Sequence, residues 1–238
     1  MVNFPLMWFI EKTGLLDPNQ FGFRKGYSTI DHAMGLSIDI HSNFFYKRHL
    51  LAIFLDLSHA YDSVWRYDIL RTLHTWGFRE NLPIFIANFL SDRTFQVRIS
   101  GELSNPFVLD NGLPQGSSLS PSLFLIAINS IRSYISPQIS YRLFANDLVI
   151  YHSSSNSRTS QRLLQNCLNS LSSWSTNHGF SFSPNKSSCT HFCKVKNSLG
   201  IQHLELINTP IATNPYSKFL GLIFDRKLNW KWKDISNI

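Results

Sequence analysis

YRLFANDLVIY, residues 141–151, sets two apolar, strand-like runs on either side of Asn146-Asp147. Both residues tolerate tight-turn geometry, so the stretch reads as a β-hairpin with that pair at its tip. An amide beside a carboxylate leaves two readings open: an acidic tip suits a divalent cation, and an Asn-Asp tip is also an ordinary turn. HLLAIFLDLS, residues 49–58, bears on the choice. Its apolar run, with aromatic and β-branched members, fits a buried strand better than a helix. Ala52, Phe54 and Asp56 alternate onto one face, so the carboxylate leaves a buried sheet at its rim. If the strands bearing Asp56 and Asp147 are neighbours, their carboxylates converge. Phoshoryl transfer by a pair of Mg²⁺ ions, about 3.5–4 Å apart, needs such an anionic point.

Outward from these strands, Ser28-Thr29-Ile30-Asp31 has the capping-box pattern and opens a predicted helix to about Tyr46. Val64, Ile69, Leu70, Leu73 and Trp76 recur at helical spacing and stop at Gly77; residues 81–91 form another predicted helix. FQVRI-SGELS-NPFVL reads as a β-hairpin. NGLPQGSSLSPSLFLIAIN is a Gly/Pro/Ser turn feeding an apolar helix from about Ser118, and it offers backbone N–H groups at a helix start, where anions are attracted. Ser153 to Ser160 reads as a polar connector. Leu164, Cys167, Leu168, Leu171 and Trp174 then mark a helix closed by Gly179, and HFCKV and KFLGLIFD give further strands. No internal repeat is visible, and the mixture of elements is α+β.

Composition sets the outer limits. The 238 residues are 43% hydrophobic and 16% charged, enough for a real core and too apolar for disorder. A formal charge of +7 favours a polyanionic partner. No run approaches a membrane span, and MVNFPLMWFIEK has neither a basic n-region nor an unbroken apolar run, so a signal peptide is not expected. Three cysteines cannot all pair within one chain, which points to reduced intracellular thiols. CTHFC places Cys189, His191 and Cys193 on one strand face, but it offers three candidate ligands and no evident fourth. A buried face carrying thiols is the expectation there, not a metal site.

In order and spacing, IFLDLSHAYDSV, GLPQGSSLSPSLFLIAIN, FANDLVIY, GFSFSPNKS and KFLGLIFDRKLNW resemble the palm motifs of reverse transcriptases from non-LTR (LINE-type, jockey-like) retrotransposons. QFGFRKGYST resembles the segment that precedes the palm in those elements. The resemblance covers nearly the whole chain. It implies a right-hand polymerase palm, an antiparallel sheet backed by helices, with partial fingers and a truncated thumb. Residues 1–50 would be a partial fingers segment and 51–195 the palm, with 196–238 the palm end, its primer-grip-like hairpin around Gly221 and the start of the thumb connection.

The resemblance also implies roles. Asp56, with the Leu57 carbonyl beside it, resembles the first catalytic metal ligand. Tyr61 resembles the steric gate under the incoming sugar, and Pro114, Gln115 and Gly116 the loop that touches nucleotide and template. Lys186 resembles the lysine that protonates the leaving pyrophosphate. Read without the family, Tyr61 is a core aromatic, the Pro-Gln-Gly run a turn, and Lys186 a solvated lysine. The family's hairpin tip carries two aspartates, the first of them the second essential metal ligand; here the tip is Asn146-Asp147. An amide offers a carbonyl oxygen but no charge, so metal binding through Asp56, Leu57 and Asp147 is expected to be weakened.

An RNA-directed DNA polymerase is therefore expected, using two Mg²⁺ ions, deoxynucleotides, an RNA template and a DNA primer, in a truncated copy impaired at Asn146. The alternative is a catalytically dead nucleic-acid-binding remnant, in which Arg226, Lys227, Lys231 and Lys233, interleaved with Trp230 and Trp232, hold a backbone and stack bases. A nuclear location follows only from the family's habit of priming at chromosomal DNA.

Overall fold

The computed structural model describes residues 2–194 and 203–229. The helices are α1 (Asn3–Lys12), α2 (Thr29–Phe45), α3 (Arg66–Thr75), α4 (Asn81–Leu90), α5 (Ser120–Ile128) and α6 (Ser157–His178). The longer strands are β1 (His49–Ser58), β6 (Ser140–Phe144), β7 (Asp147–Ser154), β9 (Ser188–Phe192), β13 (Tyr216–Phe219) and β14 (Leu222–Asp225). Between β1 and β6 lie the short β2 (Thr94–Phe95), β3 (Arg98–Ile99), β4 (Glu102–Leu103) and β5 (Phe107–Val108). Also short are β8 (Ser181–Phe182), β10 (Glu205–Leu206), β11 (Thr209–Pro210) and β12 (Ala212–Thr213).

Contacts divide the chain into two compact units interleaved in sequence. One comprises residues 1–17, 59–130 and 176–181; the other comprises 18–58, 131–175 and 182–238.

The second unit is built on a sheet whose main path runs β12-β9-β1-β7-β6. All its neighbours are antiparallel except β12, which joins β9 in parallel. β1 lies in the middle, and its residues 50–55 are all buried, as its unbroken apolar run requires. On one face Leu50, Ala52 and Phe54 pack with Val149, Tyr151 and Phe192, under Ala33, Leu36 and Ile40 of α2 and Phe219 and Phe224 of the β13–β14 hairpin. The opposite face is tied to α6, where His152 Nδ1 lies 2.8 Å from Ser160 Oγ. α2 begins at the expected capping box, with Ser28 Oγ accepting from the Asp31 N–H and Asp31 from the Ser28 N–H.

The first unit is helical. α3 packs on α4 and α5, and Asp68 of α3 is buried between His178 Nδ1 at 2.7 Å and Arg71 Nη2 at 2.9 Å. Its β-structure departs from the single hairpin expected. Thr94–Phe95 pairs with Phe107–Val108, and Arg98–Ile99 pairs separately with Glu102–Leu103. The tight turn is Ser100-Gly101, both at positive φ, so Glu102 and Leu103 belong to a strand and not to the tip.

Two further boundaries shift. The predicted connector 153–160 shrinks, because β7 runs to Ser154 and α6 starts at Ser157, with the Asn156 side chain accepting from the Arg158 N–H. β9 ends at Phe192, so Cys193 and Lys194 of HFCKV lie beyond it, and Val195 lies outside the described residues. No described helix is long and apolar enough to cross a membrane.

Candidate active site

The ladder between β1 and β7 runs without a break from His49 opposite Ser154 to Asp56 opposite Asp147. Two carboxylates thus close the sheet at its rim, directly across from one another on the face of Phe54 and Val149. Opposed residues of an antiparallel pair hold their Cβ atoms about 4.5–5.5 Å apart, within reach of one cation. Burial, and after it the like charge of Asp56, raises the Asp147 carboxyl above the ordinary aspartate value.

Lys186 joins this point from the segment after β8. The Ser183 N–H donates to the Asp56 carbonyl (2.9 Å), the Ser187 hydroxyl donates to the Ser183 carbonyl (2.7 Å), and Lys186 Nζ stands 3.9 Å from Asp56 Oδ2. The lysine side chain is 73% exposed, so the ion pair is solvent-screened and free to break. Leu57 turns its side chain into the opposite, buried face, and its carbonyl is the next backbone acceptor after that of Asp56.

The hairpin tip lies one residue earlier than expected. Phe144 pairs with Asp147, so the two loop residues are Ala145 and Asn146, and Asp147 is the first residue of β7. A two-residue loop that follows the strand twist needs positive φ at its first position, and Ala145 has φ +54°. For a residue bearing a Cβ this costs about 1–2 kcal/mol. Gln20 offsets the cost. Its side chain is buried, its Oε1 accepts from the N–H groups of Ala145 and Gly22 (both 2.8 Å), and its Nε2 donates to the Ala145 carbonyl (3.1 Å). The flanking backbone is bound in parallel, Phe21 N–H to the Leu143 carbonyl and Leu143 N–H to the Asn19 carbonyl. A Cβ on Gly22 would stand 2.2 Å from the Ala145 nitrogen, so only glycine lets the strap lie this close. Sequence reasoning gave Gln20 no role. A lone glutamine ahead of a glycine carries no signal until the hairpin it grips is placed beside it.

The nucleotide-side candidates assemble in the other unit. Tyr61, in the turn before α3, stacks on Phe124 with ring centroids 4.9 Å apart and planes 5° from parallel, and burial raises its phenol pKa. Its carbonyl accepts from the Leu113 N–H (3.0 Å), and Asp62 Oδ1 accepts from Gln115 Nε2 (3.0 Å). Gly112 at φ +84° approaches so closely that a Cβ would meet the Asp62 carbonyl oxygen at 2.8 Å. Pro114 is fixed by the Ser120 hydroxyl on its carbonyl (2.6 Å), which leaves Gln115 and Gly116 exposed beside Tyr61's segment. Gly221 forms the β13–β14 turn with Leu220, both at positive φ. Arg226 and Lys227 are exposed after it, while Trp230, Lys231, Trp232 and Lys233 lie outside the described residues.

A mainly antiparallel sheet backed by helices, with opposed carboxylates at its rim, is consistent with the palm of a right-hand polymerase. The chain matches the reverse transcriptase (RNA-dependent DNA polymerase) family over residues 6–224 and belongs to it. Its domain is of the non-LTR retrotransposon type. It is 27% identical, over 91% of its length, to a probable RNA-directed DNA polymerase from transposon BS of Drosophila melanogaster, and covers 24% of that protein. To the RNA-directed DNA polymerase from mobile element jockey of the same species it is 25% identical over 92% of its length, again covering 24%. The chain thus spans about a quarter of these curated relatives. In fold it is similar to telomerase from Candida Tropicalis in complex with a TWJ fragment of telomeric RNA. The TM-score is 0.65 at 14% identity, with 100% of this chain and 37% of that one covered. The apo telomerase truncated from its C-terminal domain gives the same TM-score at 13% identity, over 95% of this chain and 43% of that one.

Proposed function

We propose that this chain is the polymerase domain that extends a DNA primer on an RNA template with deoxynucleotides, and that Asn146 holds its rate far below that of an aspartate-bearing site. The observation that carries this is the register of Asp56 opposite Asp147. The donor set fits Mg²⁺: hard carboxylate oxygens, partly open to solvent, with a raised Asp147 carboxyl whose repulsion from Asp56 a cation relieves. Asp56, Asp147 and the Leu57 carbonyl would hold the metal, with Asn146 contributing at most an amide oxygen; two ions are expected. Bound there, Mg²⁺ would activate the primer hydroxyl and neutralise charge on the phosphates.

The remaining work falls to side chains. Lys186, on an exposed stem beside Asp56, carries the proton that the leaving pyrophosphate takes up. Tyr61, held flat against Phe124, presents a rigid floor to the sugar, and Gln115 and Gly116 offer polar and backbone contacts to nucleotide and template. The β13–β14 hairpin, turned at Gly221, bears on the primer end.

The metal reading has a direct test. A raised acid favours the folded state most at low pH and loses that advantage as pH climbs through its folded value, so at pH 7 without metal Asp147 is a liability. Asp147→Asn is therefore expected to raise the melting temperature of the metal-free chain, by about 2–4 °C if the gain is near 1 kcal/mol. The same variant should lose the Mg²⁺-induced rise of the unaltered chain. Asp147→Asn melting lower than the unaltered chain at pH 7, or keeping its Mg²⁺ response, would remove the carboxylate pair from the mechanism.

A second reading, binding without chemistry, is favoured by Asn146 itself and by the net charge of +7. Both readings expect affinity for an RNA–DNA duplex that falls steeply with salt, because each neutralised phosphate releases counterions. Fluorescence anisotropy over a salt series measures it, and a flat response would sink both.

A further inference from the structure

The register of β1 against β9 gathers a different set of ligands at the end of the sheet remote from Asp56. Leu51 lies opposite His191, so His49, two residues earlier on the same face, is the diagonal neighbour of His191. Cys193 is the first residue after β9, just past the Leu50–Phe192 pair that ends the ladder. His49 Nδ1 and His191 Nε2 are 3.0 Å apart, and one ligand atom from each of His49, His191 and Cys193 lies within 4.8 Å of the other two. His191 and Cys193 are buried, while half-buried His49 keeps an edge of the group open to solvent. Cys189, which CTHFC puts on the same strand face and where no metal site was expected, is not in the group; the third member is a histidine 142 residues away from His191.

We propose that His49, His191 and Cys193 form a zinc-type transition-metal site that clips β1 to β9, with a water as fourth ligand on the His49 side. Two imidazoles and a thiolate are borderline-soft donors that prefer Zn²⁺ or Co²⁺ to Mg²⁺. Tetrahedral zinc with Zn–N bonds near 2.0–2.1 Å sets its nitrogen ligands roughly 3.3 Å apart, close to the spacing already present between the two rings. Three protein ligands and one open position suffice for such an ion.

Proton balance is simple. The Cys193 thiol releases its proton to solvent on binding. The proton shared between the facing ring nitrogens moves to the far nitrogen of its own ring, so one proton leaves per ion. The positive charge of Arg226, which acts on His191, opposes the ion, and the new thiolate offsets it.

The site is independent of the polymerase reading and is tested on the chain itself. The chelator-treated protein would be titrated with Zn²⁺, and separately with Co²⁺, while melting temperature and the thiolate-to-cobalt absorption are followed. Saturable one-to-one binding, a higher melting temperature and a thiolate–cobalt band are expected, none of them reproduced by Mg²⁺. His49→Ala, His191→Ala and Cys193→Ser should each weaken binding by more than about a hundredfold, beyond the cost of losing an outer-shell partner. Cys189→Ser should leave it unchanged. Half-buried His49 makes His49→Ala the variant least able to disturb folding, so unaltered affinity in that variant overturns the proposal. Non-saturable binding, or equal loss in Cys189→Ser, overturns it as well.

Discussion

Asn146→Asp is expected to raise primer extension about a thousandfold, the ratio that about 4 kcal/mol of transition-state stabilisation produces. The expectation rests on position. Asn146 is the loop residue immediately before Asp147, which stands opposite Asp56. An aspartate there places a third carboxylate on the rim and returns the formal charge that an amide lacks. Because the chain spans about a quarter of its curated relatives, the comparison belongs in residues 20–238 grafted into an intact relative. Three grafts decide it: unaltered, Asn146→Asp, and Asn146→Asp with Asp56→Ala. Almost no extension, then substantial extension, then none is the expected order. Equal extension from the first two would mean that the loop does not hold a metal, and the catalytic assignment would fall. Without Mg²⁺ the same substitution should destabilise, since it adds an acid to a pair already in repulsion, so the Mg²⁺-induced rise in melting temperature should grow.

What the sequence made legible here was what short stretches decide. The capping box of Ser28 and Asp31 announces α2, and the buried run 50–55 announces a central strand with an acid at its end. The alternation of Ala52, Phe54 and Asp56 fixes which face the acid shares, and the Asp147 strand is the neighbour of β1 that the shared-cation expectation called for. The hairpin tip was misplaced by one residue because Asn-Asp is the better turn pair by propensity, whereas the register is set by pairing along the whole of β6 and β7. Contacts joining distant segments were not legible. Gln20 lies 125 residues from Ala145, and His49 lies 142 from His191. Nothing in either neighbourhood names its partner, since the partner is chosen by strand order. The parallel addition of Ala212–Thr213 to β9 was hidden for the same reason, two residues being too short a strand to carry a pattern.

Gln20→Leu is expected to destabilise the palm unit by about 3 kcal/mol or more, the cost of leaving several buried backbone groups without partners at about 1–3 kcal/mol each. At about 2–4 °C per kcal/mol for a chain of this size, the loss is plain in a melting curve. Side-chain volume changes little, so the effect isolates the hydrogen bonds. Gln20→Glu separates them further: it keeps an acceptor for the Ala145 and Gly22 N–H groups, but sets an oxygen against the Ala145 carbonyl that Nε2 now serves. A generic core defect would be indifferent to the backbone of the loop; a strap on a strained loop is not. Ala145 sits at φ +54°, where glycine carries no penalty, so Ala145→Gly alone should stabilise by about 1 kcal/mol. In that background less restraint is needed, and the cost of Gln20→Leu should shrink. The coupling in this double-mutant cycle is the decisive quantity. Mg²⁺ response supplies the functional counterpart, because a loop released by Gln20→Leu holds Asn146 and the end of β7 less firmly at the rim, and the metal-induced rise in melting temperature should fall in step. A Gln20→Leu cost that is the same with alanine or glycine at 145, together with an undiminished Mg²⁺ response, would reduce Gln20 to an ordinary buried amide with no hold on the β6–β7 loop.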